Sequence, residues 1–214
     1  MSHVTAWRKT PRAPSQSGSS TKEPVSWYAT RLKPCPPEAM TAHRFSVSEY
    51  YRLGELGLLD KRTELIEGLI IDMEPIGPWH ADVVDILARA FVKQARERFR
   101  VRVQQPIDLG QESQPQPDLV LCRAGRYKDL HPGAPAIFLI VEVADTTLDF
   151  DLGQKRDLYA VASIAEYWVI DVQGKKVSRF VLAGKDLVER PVLGSEICPQ
   201  AFPDVSVDLP EIFG

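Results

Sequence analysis

Apolar and polar residues fall into a readable order only from Phe45 onward. Ser46 and Glu49 form an S-x-x-E pair at the head of an amphipathic stretch, which predicts a capped helix running to about Gly57. Two β-rich runs, residues 63–67 and 69–73, meet at Gly68 and predict a tight hairpin. Gly77-Pro78 then opens a long helix to about Phe99. In it Val83, Val84, Leu87, Ala90, Phe91 and Ala95 recur at spacings of three and four and make one buried stripe. Beyond the helix the pattern predicts strands over residues 101–109, 118–122 and 137–143. The last of these is apolar on both faces, the mark of a central strand covered by helices on both sides. A second helix over residues 152–162, a strand over 166–171, a hairpin around Gln173-Gly174 and a weaker strand and loop tail complete the order. Helix, three strands, helix, strand is an α/β sandwich built around one sheet.

The first 40 residues break this pattern. Ser, Thr, Pro and Gly supply 17 of them, and no apolar periodicity runs through them. Such a segment cannot bury enough surface to offset its ordering entropy, so residues 1–40 are expected to be a disordered basic arm and residues 41–214 the folded domain. The arm lacks both the amphipathic stripe of a transit peptide and the apolar core of a secretory signal. Met40 directly precedes the patterned region, which leaves a start near Met40 as an alternative to Met1.

Composition narrows the class without naming a chemistry. Of 214 residues, 44% are hydrophobic and 26% charged, values that exclude a collagen-like, wholly disordered or disulfide-framework chain. The longest strongly apolar run, Ile137-Phe-Leu-Ile-Val141, is cut by Glu142, far short of the roughly 20 residues of a membrane-spanning helix. Cys35, Cys122 and Cys198 show no C-x-x-C spacing, so a reducing cytoplasm is the default setting. The formal charge of -3 is uneven. The arm holds six basic residues against Glu23 and Glu38, a balance of +4, which leaves 20 basic and 27 acidic residues, or -7, for the rest. A body of that sign meets a polyanion only through local basic patches or a bound cation.

Three polar residues sit where burial makes them costly. Glu142 closes an apolar central strand, where a lone carboxylate needs a cation, a metal or a set of donors. Asp118 follows Pro117 at the mouth of the neighbouring strand, since proline cannot extend a ladder inward. Lys155 has Leu152, Leu158 and Tyr159 as its i-3, i+3 and i+4 neighbours, so it points along the apolar face of its helix. Two acids on adjacent strand ends with one inward lysine suit a hard divalent ion, held by one or two carboxylates plus waters and substrate oxygens. The lysine can then orient or deprotonate a water beside a phosphate. The structural alternative is a buried Lys–Glu pair that neutralises itself.

The blocks Glu64-Leu-Ile-Glu-Gly68, Met73-Glu-Pro-Ile-Gly-Pro-Trp-His80, Pro117-Asp118, Val141-Glu-Val-Ala144 and Asp151-x-x-x-Lys155-x-x-x-Tyr159, leading into Glu166-Tyr-Trp-Val-Ile-Asp171, resemble the Uma-type restriction endonuclease family of the PD-(D/E)XK nuclease superfamily. The resemblance runs from about residue 43 to about residue 210. It implies a restriction-endonuclease-like core, a central mixed β-sheet flanked by helices, with the N-terminal helix and hairpin added. It also implies that Asp118 is the first metal-binding acid and Glu142 the second. Ala144 stands two residues after Glu142, where the superfamily pattern has lysine, and the resemblance moves that lysine to Lys155. Ser163 stands where the family usually has glycine, which predicts a strained turn.

His80 opens the long helix; the resemblance places it near the site, to position a phosphate or a metal-bound water, and the alternative is a helix-start histidine satisfying a loop carbonyl. Glu64 and Glu67 flank the hairpin turn, where exposed acids are commoner than a third ligand. His43 and His131 read as bystanders, and Tyr159, Tyr167 and Trp168 as core. Lys93, Arg96, Arg98, Arg100 and Arg102 read as a solvated face. Arg123, Arg126 and Lys128 follow the Asp118 strand and are expected to lie close to the site, where they would meet a phosphate backbone. The expected function is a Mg2+-dependent endonuclease acting on DNA, with Mn2+ as an alternative ion, a cytoplasmic location and room for a homodimer. The alternative is a catalytically silent nucleic-acid- or protein-binding module on the same scaffold.

Overall fold

The computed structural model describes residues 41–59 and 61–214, so the expectation of a disordered arm over 1–40 lies outside the described residues. Helix α1, Val47–Glu55, starts as its sequence predicts. The Ser46 hydroxyl accepts from the Glu49 N–H at 3.3 Å and the Glu49 carboxylate accepts from the Ser46 N–H at 2.8 Å. This reciprocal cap is worth on the order of 1 kcal/mol. Strands β1, Thr63–Ile66, and β2, Leu69–Asp72, pair antiparallel across a turn in which Glu67 and Gly68 both take positive φ. Two left-handed residues match the twist of a hairpin. Gly68 is required there for a second reason: a Cβ would run into the Arg44 side chain.

Helix α2, Pro78–Ala95, has proline in its first turn and buries Val83, Val84, Ile86, Leu87 and Phe91. It ends short of Phe99 because Arg96 and Glu97 turn into the left-handed region, at φ 44° and 64°. Strand β3, Phe99–Val103, therefore begins and ends earlier than its pattern suggests. Gln104, at φ 50°, stops it by giving its N–H to the Asp118 carbonyl at 3.0 Å.

Six strands form the main sheet, in the order β3-β4-β5-β6-β7-β8. β4 is Leu119–Arg123, β5 Ile137–Ala144, β6 Glu166–Asp171, β7 Lys176–Ala183 and β8 Asp186–Arg190. All neighbours pair antiparallel except β5 and β6. The parallel pair is joined by a helical crossover: α3, Leu148–Phe150, then a π-helical turn, Asp151–Lys155, then α4, Arg156–Val161. α2 covers one face, on Leu119, Leu121, Leu139, Val141 and Trp168. The crossover covers the other, where Leu158 and Tyr159 pack with Val120, Ile140, Tyr167 and Val169. β5 is thus buried on both faces, as its apolar run, broken only at Glu142, requires. The crossover ends at Ser163, held at φ 60°, while the Ile164 N–H reaches the Tyr159 carbonyl at 2.9 Å. This is a left-handed helix end, where glycine would be unstrained.

The C-terminal stretch is more ordered than a loop tail. β9, Glu196–Ile197, pairs with β10, Val207–Asp208, and α5, Leu209–Phe213, follows and buries Ile212. Glu166 helps anchor the stretch, accepting from Trp168 Nε1 at 2.9 Å, Arg179 Nε at 2.7 Å and the Gln200 N–H at 2.6 Å. Among the described residues, no helix is long and apolar enough to cross a membrane.

Candidate active site

The pairing of β4 with β5 sets the site. Leu119 lies opposite Val141, so Asp118, one residue before β4, falls opposite Glu142. Opposed residues of an antiparallel pair point to the same face. That face is the one that α3 and α4 cover. The two acids are locked by backbone from each other's side of the pairing: the Asp118 N–H donates to Glu142 Oε2 at 3.2 Å, and the N–H of Val143, next to Glu142, donates to Asp118 Oδ2 at 2.9 Å. His80, in the first turn of α2, puts Nε2 3.0 Å from Asp118 Oδ2, and Gln104 Nε2 donates to Asp118 Oδ1 at 3.2 Å.

The crossover supplies the cation. Lys155 Nζ lies 3.0 Å from Glu142 Oε1, 3.2 Å from Glu64 Oε1 and 3.9 Å from Asp151 Oδ1. The π turn, wider than an α-helical one, carries both Asp151 and Lys155 inward; such turns recur at functional sites. Thr147 Oγ1 steadies Asp151 at 2.6 Å, and the Tyr159 hydroxyl donates to Glu142 Oε1 at 2.8 Å. Glu64 arrives from β1, and its Oε2 accepts from the Gln116 N–H at 3.1 Å. Three carboxylates therefore surround one ammonium, with Asp118 beside Glu142, and these five side chains belong to residues only 2–8% exposed. They line a cleft of about 210 Å³ whose rim adds Asp72, Glu74 and Asp145 but, of arginine and lysine among the described residues, only Arg62 besides Lys155.

Burial alone would discharge Lys155, but Glu142, Glu64 and Asp151 raise its pKa far above the ordinary lysine value, so it stays an ammonium. Burial also raises Glu142, Lys155 opposes the rise, and the charges of Asp118, Asp151 and Glu64 add to it; the outcome is about 8. Asp151 is pushed up to about 6, again chiefly by burial. Asp118 moves the other way. Its burial is outweighed by His80, the Val143 N–H and Gln104, which hold it below the usual carboxylate range. His80 rises in turn, because Asp118 overcomes the effect of its burial. The cluster has more carboxylate than it can neutralise, and Glu142 takes the surplus proton.

This charge state has a measurable consequence. A carboxyl whose pKa is raised by folding stabilises the fold fully below its unfolded pKa and loses that contribution as pH rises through the folded value. For Glu142 the window runs from 4.5 to about 8, and for Asp151 from 3.8 to about 6. The melting temperature of the metal-free protein is therefore expected to fall across about pH 5 to 8. The loss is on the order of several kcal/mol, since each tenfold change in proton affinity between the folded and unfolded chain is worth roughly 1.4 kcal/mol. A flat or rising profile over that range would contradict the charge surplus.

The donor set also bears on a divalent ion. Among the described residues, no three acid, histidine or cysteine side chains converge as a closed metal cage. Mg2+ does not need one; it is held by one or two carboxylates and keeps its waters or takes substrate oxygens. Asp118 and Glu142, side by side in a cleft with surplus negative charge, fit that requirement.

Asp118, Glu142, Lys155 and His80 thus come together, but three other expectations need correction. Glu64 is not an exposed hairpin acid: it faces inward and pairs with Lys155, whereas Glu67 sits exposed on the turn. Arg123, Arg126 and Lys128 do not lie beside the cleft. Arg123 pairs with Phe99 at the opposite end of β4 from Asp118, and Lys128 is engaged by Asp129 at 3.4 Å. Arg102 is not solvated either, at 6% exposure. Gln104, Gln116 and Asp151 are site residues that sequence reasoning missed; only Asp151, one helical turn before Lys155, carried a signal. Tyr159 is core, as expected, and also reaches the site.

No curated protein matches the chain. Among solved structures, the crystal structure of a "putative nuclease belonging to DUF820" from Anabaena variabilis matches with a TM-score of 0.57 at 14% identity, covering 75% of this chain and 96% of that one. At that identity the match speaks for the fold: a mixed sheet flanked by helices in the manner of a nuclease. A family model matches residues 47–210, which take in the hairpin, both strands of the acidic pair and the crossover. The chain belongs to the family described as "Putative restriction endonuclease", Uma2.

Proposed function

We propose that this chain is a Mg2+-dependent endonuclease that hydrolyses phosphodiester bonds in DNA, with Asp118 and Glu142 as the residues that hold the ion. Family membership supports nuclease chemistry in general. The observation that carries the finer reading is the reciprocal lock of Asp118 and Glu142 across β4 and β5, at the floor of a cleft with more carboxylate than lysine. Bound there, the ion would polarise a phosphate oxygen and lower the pKa of a coordinated water.

The chain's own groups have separable tasks. Lys155, held charged by three acids, cannot accept a proton at neutral pH, so it donates hydrogen bonds and stabilises charge developing on the phosphate. The Tyr159 hydroxyl and the Asp118 N–H fix the two oxygens of Glu142. His80 fixes Asp118 through Nε2, while its buried Nδ1 has no hydrogen-bond partner among the described residues.

Calorimetry with Mg2+ and Mn2+ tests the reading. The wild type is expected to bind either ion, Asp118→Ala to bind neither, and the wild type alone to nick plasmid DNA. Ion binding that survives Asp118→Ala would move the site elsewhere. Tight DNA binding without ion-dependent nicking would favour the silent module.

A further inference from the structure

The sheet is electrically lopsided. Acids crowd the Asp118 end of β4; arginines gather at the other end, alongside Glu97 in the turn before β3. Arg100, Arg123 and Arg126 are exposed there, and among the described residues none of them is in an ion pair, whereas the neighbouring Arg98 is bound to Asp204 at 2.8 Å. Phe99 pairs with Arg123 and Arg100 with Cys122, so the edge strand β3 and the end of β4 share this corner, with Arg123 on the α2 face of the sheet and Arg100 on the other, on either side of the edge. Arg100 Nη1 donates to the Gly125 carbonyl at 2.7 Å and so pins the loop that carries Arg126. Behind them Arg102 is 6% exposed, yet its guanidinium meets only the Pro106 carbonyl at 3.2 Å, His131 Nδ1 at 3.4 Å and the face of Tyr127. Its Nε is buried with no partner among the described residues. Of the acids on the adjoining loops, Asp129 is taken by Lys128, and Asp108 Oδ1 by the Gly110 N–H.

A buried guanidinium without a carboxylate is costly, and exposed arginines beside it add repulsion. The corner lowers its energy by acquiring anions, and arginines suit phosphates because their planar fork donates two hydrogen bonds at once. The acidic cleft is poorly supplied for such affinity, having, among the described residues, Arg62 as its arginine and Lys155 as its lysine.

We propose that Arg100, Arg123 and Arg126 form the surface that grips the phosphate backbone of the substrate, at the opposite end of β4 from the acids. This rests on the nuclease reading above and adds where the substrate is held. Five residues of strand separate Asp118 from Arg123, about 17 Å at roughly 3.3 Å each. That is the rise of about five base pairs at about 3.4 Å per step. The grip and the cut are therefore set apart along the nucleic acid, and the corner contributes affinity but no chemistry.

The test is the salt dependence of binding to a labelled DNA duplex, followed by fluorescence anisotropy without divalent ions. Wild type is compared with an Arg100→Gln/Arg123→Gln/Arg126→Gln triple variant and with a Lys185→Gln/Arg190→Gln control on the distant edge around β8. Each lost phosphate contact reduces the slope of log affinity against log salt by about 0.9. The triple variant is expected to lose two to three units of slope and to bind at least tenfold more weakly at about 50 mM salt. The control should keep the wild-type slope. Wild-type slope in the triple variant, with wild type binding and cleaving, would overturn this inference and leave the nuclease reading standing. Equal losses in the control would overturn it too, as generic charge. Failure of wild type to bind or cleave nucleic acid at all would overturn both.

Discussion

Glu142→Gln should abolish ion-dependent cleavage while leaving a folded protein that, without metal, is at least as stable as the wild type above neutral pH. The loss of activity should exceed the roughly 10- to 100-fold that removal of an outer-shell partner typically costs, because on the proposed function a direct ligand is lost. Stability follows from the crowding of acids. Removing one member of a buried ion pair is usually damaging because its partner is stranded. Here Lys155 keeps Glu64 at 3.2 Å and Asp151 at 3.9 Å, so it is not stranded, and the costliest carboxylate is gone. The amide can still accept from Lys155 and Tyr159; what it forfeits is the Asp118 N–H bond, on the order of 1 kcal/mol. Cleavage and thermal melting on one preparation decide the matter. A wild-type rate would make Glu142 structural and place the chemistry elsewhere.

Lys155→Met should have the opposite signature. The variant leaves Glu64, Glu142 and Asp151 facing one another with no cation in reach, and a stranded buried charge costs about 3–5 kcal/mol. Because the penalty falls on ionised carboxylates, it should shrink as pH drops and they protonate. The melting deficit relative to wild type is thus expected to be large at pH 8 and small near pH 5. A deficit independent of pH would mean that lost packing of the lysine stem, rather than charge, dominates.

Much of this is legible from residue order. The capping box at Ser46 and Glu49, the hairpin about Gly68 and the doubly buried β5 each depend on neighbours within a few positions, and each appears as its sequence predicts. Asp118, Glu142 and Lys155 stand out because a charge in an apolar pattern is costly wherever the fold places it. What stays hidden depends on distant partners or on backbone that departs from ideal periods. Glu64 reads as a turn acid because its partner Lys155 lies 91 positions away. The end of α2 reads late because nothing in Arg96-Glu97 announces two left-handed residues. Arg123 reads as a neighbour of the cleft because proximity in sequence stands in for proximity in space; on an extended strand, five residues are enough to separate them.

The hairpin gives the site a second part. β1 and β2 form a sheet of their own and adhere to the body through the 112–116 segment: the Gly68 N–H reaches the Glu112 carbonyl and the Gln114 N–H the Leu65 carbonyl, both at 2.7 Å. β1 is buried along its whole length and Ile66 joins the core beneath the crossover, so the hairpin is a fixed wall of the cleft. It holds Glu64, one more negative charge, beside the Asp118–Glu142 pair. Any cation that settles on that pair softens the repulsion and holds the hairpin down; by reciprocity, a docked hairpin tightens the hold on the cation. If the proposed ion binds there, occupancy of the cleft and docking of its wall would reinforce each other, and a change on the outer surface of the hairpin would alter ion affinity without touching a proposed ligand.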